Sequence, residues 1–102
     1  YETAEVTKKN REGLDLWIND AKKQNYQLII VLIPPKIHHA NTNFYGGMRD
    51  YLVAKNIRFY DLTEPFAASK KRSEQLYWLN DGHLNNEGNV FVGEFLANTL
   101  KN

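Results

Sequence analysis

The chain of 102 residues contains no cysteine, which excludes disulfide bridges, thiolate chemistry and cysteine-based zinc sites. An excess of charge of one sign is also missing, since 13 Lys and Arg against 12 Asp and Glu give a net charge of +1. A nucleic-acid partner would need a basic surface, so none is predicted. The longest apolar run, residues 28–33, is far shorter than the roughly 20 residues of a membrane-spanning helix, and no membrane span is predicted.

Serine is scarce as well, because Ser69 and Ser73 are the only two in the chain. Both lie in the polar segment 67–74, and neither follows an apolar strand. The serine nucleophile of an α/β hydrolase sits on a sharp turn between a strand and a helix, which exposes its hydroxyl. The chain therefore offers no recognisable serine nucleophile.

The first half of the chain shows a helical and then a strand pattern. Residues 3–24 are predicted to form an amphipathic helix. Its apolar face consists of Leu14, Trp17, Ile18 and Ala21. Residues 27–33 form a continuous aliphatic run that Pro34 and Pro35 end, and a run without alternation is typical of a central parallel strand covered on both faces.

The second half repeats this order. We predict a helix that begins between Asn43 and Gly47 and ends near Lys55, and a short strand over residues 57–62. Thr63 is the predicted N-cap of a short helix that ends near Ser69. Residues 70–85 are predicted to be mostly loop, in which residues 76–79 form either a turn or a short strand. The last helix should begin near Asn86 with Asn85 as its N-cap, and its buried stripe should consist of Phe91, Val92, Phe95, Leu96 and Leu100.

Strands that alternate with helices predict an α/β fold built from right-handed crossovers. The expected architecture is a three-layer α/β/α sandwich of the flavodoxin-like type, to which residues 1–102 contribute a single α/β unit. The loops after the parallel strands are where such folds place their ligands.

The most informative segment is 78–90, which reads WLNDGHLNNEGNV. It places Asp81 two residues before His83, in a turn just ahead of the last helix. A histidine beside a carboxylate suits a general base whose tautomer must be fixed. The alternative is a polar turn that caps the helix, because Asp-Gly is a common turn dipeptide. The position after two α/β units favours the catalytic interpretation.

This segment resembles the last sequence block of the SGNH (GDSL-type) hydrolases, in which an Asp and a His complete a Ser-His-Asp triad. Residues that match the block are Asp81, Gly82, His83, Leu84, Asn85 and Gly88, while Asn89 stands where a second His is frequent. The resemblance implies an SGNH-like sandwich of which this chain is the C-terminal half. It also implies that the nucleophile and the oxyanion hole belong to an N-terminal half, so that the chain alone would be inactive.

The implied activity is that of a serine esterase or O-acyl (acetyl) transferase, which acts on small esters or on O-acylated carbohydrate and needs no cofactor. An extracytoplasmic location agrees with the resemblance. Lys36 follows Pro34 and Pro35 as a lysine does in the acetyltransferase-like branch of the family, which implies a substrate-binding side chain at the cleft. His38 and His39 are adjacent and have no third ligand at a suitable spacing, so no metal site is predicted.

A second hypothesis is a non-catalytic α/β module for binding or assembly.

A strand that is apolar on both faces needs neighbours on both sides, and two predicted strands leave an open edge. The chain is therefore expected either to dock on a missing N-terminal half of its domain or to self-associate through the sheet edge.

Overall fold

A computed structural model describes residues 4–39 and 41–101. The elements are α1 (Ala4–Gln24), β1 (Ile29–Leu32), a 3-10 turn (Lys36–His38), α2 (Gly46–Ala54), β2 (Arg58–Asp61), α3 (Thr63–Ser69), α4 (Ser73–Leu76) and α5 (Asn86–Thr99). This order of helices and strands confirms the predicted α/β class. No described helix combines the length and the hydrophobicity that crossing a bilayer requires.

The two strands form a parallel pair, with Ile29 opposite Arg58 and Leu32 opposite Asp61. The connection between them contains α2, as a parallel crossover requires. Within the described residues the sheet has these two strands, so each strand has one open edge. The finer prediction, a flavodoxin-like sandwich, stays a prediction.

One face of the sheet covers the main apolar core. Its buried members are Leu62, Phe66, Leu76, Tyr77 and Val92. Val31 and Tyr60, which pair directly and so share a face, pack against this cluster. Full burial of one such aliphatic or aromatic side chain contributes roughly 1.5–3 kcal/mol. The core thus packs α3, α4 and α5 against one face of the sheet.

The opposite face of the sheet is only partly covered. Ile30 and Leu32 line an open groove together with Leu14, Trp17 and Met48 from α1 and α2. Ile18 and Ala21 of the predicted α1 stripe are buried, but Trp17 is 63% exposed. Trp17 lies on the predicted apolar face of α1, but the expectation that this face is buried is wrong at Trp17, because no described element covers that part of the helix.

Three local predictions need correction. Residues 70–85 contain the short helix α4, which was predicted to be loop. Thr63 is not the N-cap of α3 but its first residue, and its amide and hydroxyl both donate to Asp61 Oδ1 at 3.0 and 2.6 Å. Leu100 lies just past the end of α5 and is 46% exposed, so it does not extend the buried stripe.

The start of α5 follows the prediction. Asn85 is its N-cap and accepts the Gly88 amide on its side-chain oxygen at 2.9 Å. The side-chain amide of Asn85 also donates to the Gln75 carbonyl of α4 at 3.1 Å. This one side chain therefore joins the two helices that flank the loop of Asp81 and His83.

Candidate active site

Asp81 and His83 lie on a hairpin whose two ends are held by hydrogen bonds. Tyr77 and Leu84 form an isolated antiparallel bridge, and the Trp78 amide donates to the His83 carbonyl at 3.0 Å. The bridge residue Tyr77 is itself buried in the core. The two ends of the hairpin are therefore fixed by hydrogen bonds and by the buried Tyr77, while the turn between them is exposed.

Asp81 and His83 meet at a single carboxylate oxygen. The Nδ1 of His83 is 2.5 Å from Asp81 Oδ1, and the His83 backbone amide donates to the same oxygen at 2.6 Å. An ionised carboxylate only accepts hydrogen bonds, so this contact selects the tautomer with the proton on Nδ1. Nε2 of the neutral ring is then the unprotonated nitrogen that a general base needs.

Both side chains of the pair are exposed to solvent. The side chain of His83 is 87% exposed and that of Asp81 is 49% exposed. Both are open to a substrate or to a further protein segment. The contact itself is that of a tight polar turn, and it also has the geometry in which a carboxylate orients a basic imidazole.

The pKa of Asp81 lies below its ordinary value, chiefly because the backbone amide of His83 donates to its carboxylate. The bond from the His83 side chain lowers the pKa further, partial desolvation opposes this, and the nearby charges of His83 and Lys36 add smaller decreases. Asp81 is therefore ionised at neutral pH, as its role of acceptor for Nδ1 demands.

Lys36 connects this loop to the end of β1. Its Nζ donates to the carbonyl oxygens of Trp78 and Leu79 at 2.7 Å each. The pair of Asp81 and His83 consequently lies at the same edge of the sheet as the segment after β1, and this is the edge at which α/β folds place their ligands. A substrate-binding role for Lys36 stays a prediction.

An open groove of about 440 Å³ lies beside His83. Its lining consists of Ile33, Pro34, Pro35, Tyr77, Gly82, His83, Leu84 and Asn89. Most of these side chains are apolar, and the Tyr77 hydroxyl donates to the Pro34 carbonyl at 2.5 Å across its floor. Sequence reasoning missed Tyr77 as a support of the site, because its partner is 43 residues away.

The remaining candidates have other roles or lie outside the described part. His39 Nε2 is 3.1 Å from the Lys71 carbonyl oxygen, and the side chain of His38 is outside the described residues. Among the described residues, no three His, Asp or Glu side chains come close enough to hold a metal ion. The Ser69 hydroxyl donates to the Phe66 carbonyl of its own helix at 2.6 Å.

No protein-family model, curated protein or solved structure matches this chain. The function is therefore inferred from the chain's own residues, namely the contact between Asp81 and His83 and the sequence motif that contains them.

Proposed function

We propose that the chain is the C-terminal part of an SGNH-type serine esterase or O-acyl transferase, and that it supplies the base and the orienting acid of a Ser-His-Asp triad. The observation that carries the proposal is the 2.5 Å contact between His83 Nδ1 and Asp81 Oδ1 on an exposed turn. The resemblance of residues 81–88 to the family's last block gives the same assignment. The serine and the oxyanion donors would come from sequence outside these 102 residues.

In the proposed mechanism, His83 Nε2 takes the proton from the serine hydroxyl as the oxygen attacks the ester carbonyl. The proton is then given to the leaving alcohol when the acyl-enzyme forms. Asp81 keeps the ring in the required tautomer and stabilises the imidazolium. A second acceptor, either water or a sugar hydroxyl, removes the acyl group from the serine in the same way.

The apolar groove beside His83 supports an ester with a small acyl group as the substrate class. The two faces of β1 support the flavodoxin-like arrangement that this proposal needs. Val31 packs against the main core cluster, while Ile30 lines the groove with residues of α1 and α2. The remaining strands of the sandwich would pair with the open edge of the sheet.

The test is ester hydrolysis by the full-length protein with p-nitrophenyl acetate. We expect His83→Ala to lower kcat/KM by at least about 10⁴-fold, and Asp81→Asn by up to about 10⁴-fold. His39→Ala is the matched control, because this second loop histidine contacts a backbone carbonyl instead of a carboxylate. Circular dichroism of each variant confirms that the fold is retained.

A fluorophosphonate probe provides an independent readout, because it forms a covalent bond with an activated serine. We expect labelling of one serine that lies outside residues 1–102, and loss of labelling in His83→Ala. Normal kinetics of His83→Ala would end the triad proposal. Turnover by the 102 residues alone that disappears with Ser69→Ala or Ser73→Ala would show that the nucleophile lies within this chain.

The assembly module is the second candidate function, and one observation favours it. On the outer side of α1, Trp17 and Leu16 are 63% and 70% exposed. Such surfaces are typical association sites. Substitution of Asp81 and His83 that leaves the function of the full-length protein unchanged would favour this candidate.

A further inference from the structure

Lys36 contacts the loop of Asp81 and His83 from a distant part of the sequence. Its ammonium donates to the carbonyls of Trp78 and Leu79, which are 42 and 43 residues away. The side chains of Trp78 and Leu79 are 50% and 75% exposed, so their own packing holds the turn only weakly. The buried Tyr77 holds the base of the hairpin through its bond to the Pro34 carbonyl, and the hydrogen bonds of Lys36 tie the exposed turn beyond it to the segment after β1.

The chemistry of the contact suits such a tie. An ammonium group has three N–H donors, and a charged donor forms stronger bonds to carbonyl oxygens than a neutral one does. The Trp78 carbonyl also faces the Asp81 amide at 3.4 Å. The same oxygen therefore links Lys36 to the backbone of the residue that orients His83.

We infer that Lys36 is a positioning residue, which holds the turn of residues 78–81 against the end of β1 and thereby sets where His83 presents its Nε2. Its catalytic meaning rests on the proposed function, but the holding of the turn is measurable without a substrate. Two of its three donors are used within the protein. This use distinguishes the role from that of a lysine whose ammonium is reserved for a substrate.

Amide hydrogen exchange tests the tie directly. In Lys36→Met we expect exchange of the Trp78 and His83 amides to be faster by roughly 5- to 30-fold, because both charge-assisted hydrogen bonds from Lys36 to the turn are lost. The Asn89 amide, which donates to Asn85 within α5, should exchange at its normal rate. Lys36→Arg keeps the charge and the donors and should restore most of the protection.

The matched control is Lys22→Met, which removes the same charge from an exposed position in the last turn of α1. It should leave the exchange of both loop amides unchanged. If Lys36→Met does not fold, Lys36→Gln, which keeps a donor but no charge, provides the same comparison. Unchanged exchange at Trp78 and His83 in a folded Lys36 variant would overturn the inference.

Two further readouts separate positioning from a general structural effect. The carboxyl carbon of Asp81, followed by NMR against pH, should titrate at higher pH in Lys36→Met and at the wild-type pH in Lys36→Arg and Lys22→Met. In the full-length enzyme, Lys36→Met should lower kcat with little change in KM, whereas a substrate-binding lysine would mainly raise KM. A predominant rise in KM would contradict the positioning role.

Failure of this inference and failure of the proposed function give different results. An inactive full-length protein whose loop amides still exchange faster in Lys36→Met would refute the esterase and keep Lys36 as the tie of the turn. An active enzyme with unchanged loop exchange and an unchanged Asp81 titration in Lys36→Met would refute the role of Lys36 alone.

Discussion

Gly88 of α5 lies directly against the backbone of α4. A β-carbon at this position would stand 2.2 Å from the Leu76 carbonyl oxygen and 2.9 Å from a methyl carbon of Leu84. The backbone of Gly88 has no unusual conformation, so it is the lack of a side chain that matters here. This close approach brings the start of α5 against the base of the hairpin that carries His83.

Gly88→Ala should therefore destabilise the protein by roughly 1–3 kcal/mol, because the Leu76 carbonyl cannot move away without disturbing α4. Gly93→Ala is the control in the same helix, since nothing lies within 4 Å of its β-carbon position. It should stabilise the protein by up to about 1 kcal/mol, the usual gain of alanine over glycine in a helix. Urea unfolding of both variants measures the difference, and equal effects would contradict the close contact.

Tyr77→Phe should cost roughly 1–3 kcal/mol, because it leaves the buried Pro34 carbonyl without its donor. Tyr26→Phe is the control, since Tyr26 is exposed and bonds Asp20 at the surface. Its effect should stay within about 0.5 kcal/mol. The free energy of unfolding in urea gives both values.

The same tyrosine should make the protein sensitive to alkaline pH. Burial, with a smaller effect of Tyr45, raises the pKa of Tyr77 to about 12. The unfolded chain loses this proton near pH 10 and the folded chain retains it, so stability falls as pH rises between these values, by up to roughly 1.4 kcal/mol per pH unit. Unfolding curves from pH 10 upwards should therefore fall more steeply for the wild type than for Tyr77→Phe. Parallel curves would show that Tyr77 ionises normally.

The titration of Asp81 should separate the effects of the His83 backbone and ring. The backbone amide of His83 is the largest cause of its lowered pKa, and this amide remains in His83→Ala. The pKa of Asp81 in that variant should rise but stay below the ordinary value. Because the folded pKa is lowered, the associated stability is present above the ordinary Asp pKa of about 4 and is lost as pH falls below it. If carboxyl NMR showed that the pKa of Asp81 in His83→Ala returns fully to its ordinary value, the imidazole ring would be the main cause of the lowered pKa.

The 102 residues produced alone should self-associate at micromolar concentration. The open groove beside Trp17 and Ile30 exposes apolar surface, and an open strand edge lies next to it. Trp17→Glu should shift the chain towards the monomer, while Asn19→Glu, which adds the same charge at an exposed position of α1, should not. Sedimentation velocity measures the mass, and a monomeric wild type would count against association through this face.

Local patterns in the sequence were sufficient for several elements of the fold. The stripe of Ile18 and Ala21, the aliphatic run of β1 and the Asn85 cap each depend on neighbours within a few residues, and the structure has all three. The short helix α4 was missed because its four residues, Ser73–Leu76, include a single apolar side chain. The spacing of apolar residues that identifies a helix needs a longer segment.

Other features depend on groups that are distant in sequence. The buried carboxylate of Asp61 accepts hydrogen bonds at the start of α3, and its Oδ2 lies 3.4 Å from Arg49 Nε of α2. Because Arg49 is twelve positions earlier in the chain, residues 57–69 alone could not reveal this ion pair. The Pro-Pro-Lys motif identified Lys36 as a candidate site residue. The two carbonyl groups that Lys36 binds, those of Trp78 and Leu79, could not be predicted, because they depend on how α4 and the hairpin pack. The exposure of Trp17 likewise depends on what covers α1, which helical periodicity does not specify.

The orientation of His83 and its location in the molecule depend on contacts of very different range. Asp81 orients the ring across two positions in the chain, which costs little loop-closure entropy, whereas Lys36 locates the turn across more than forty. Interactions of such different contact order need not be lost together when the protein is heated or denatured. A partly opened molecule would still contain an imidazole in its working tautomer, held by Asp81, at the wrong point in space. If His83 is the base of the proposed esterase, activity should be lost before the hydrogen bond between Asp81 and His83 is lost.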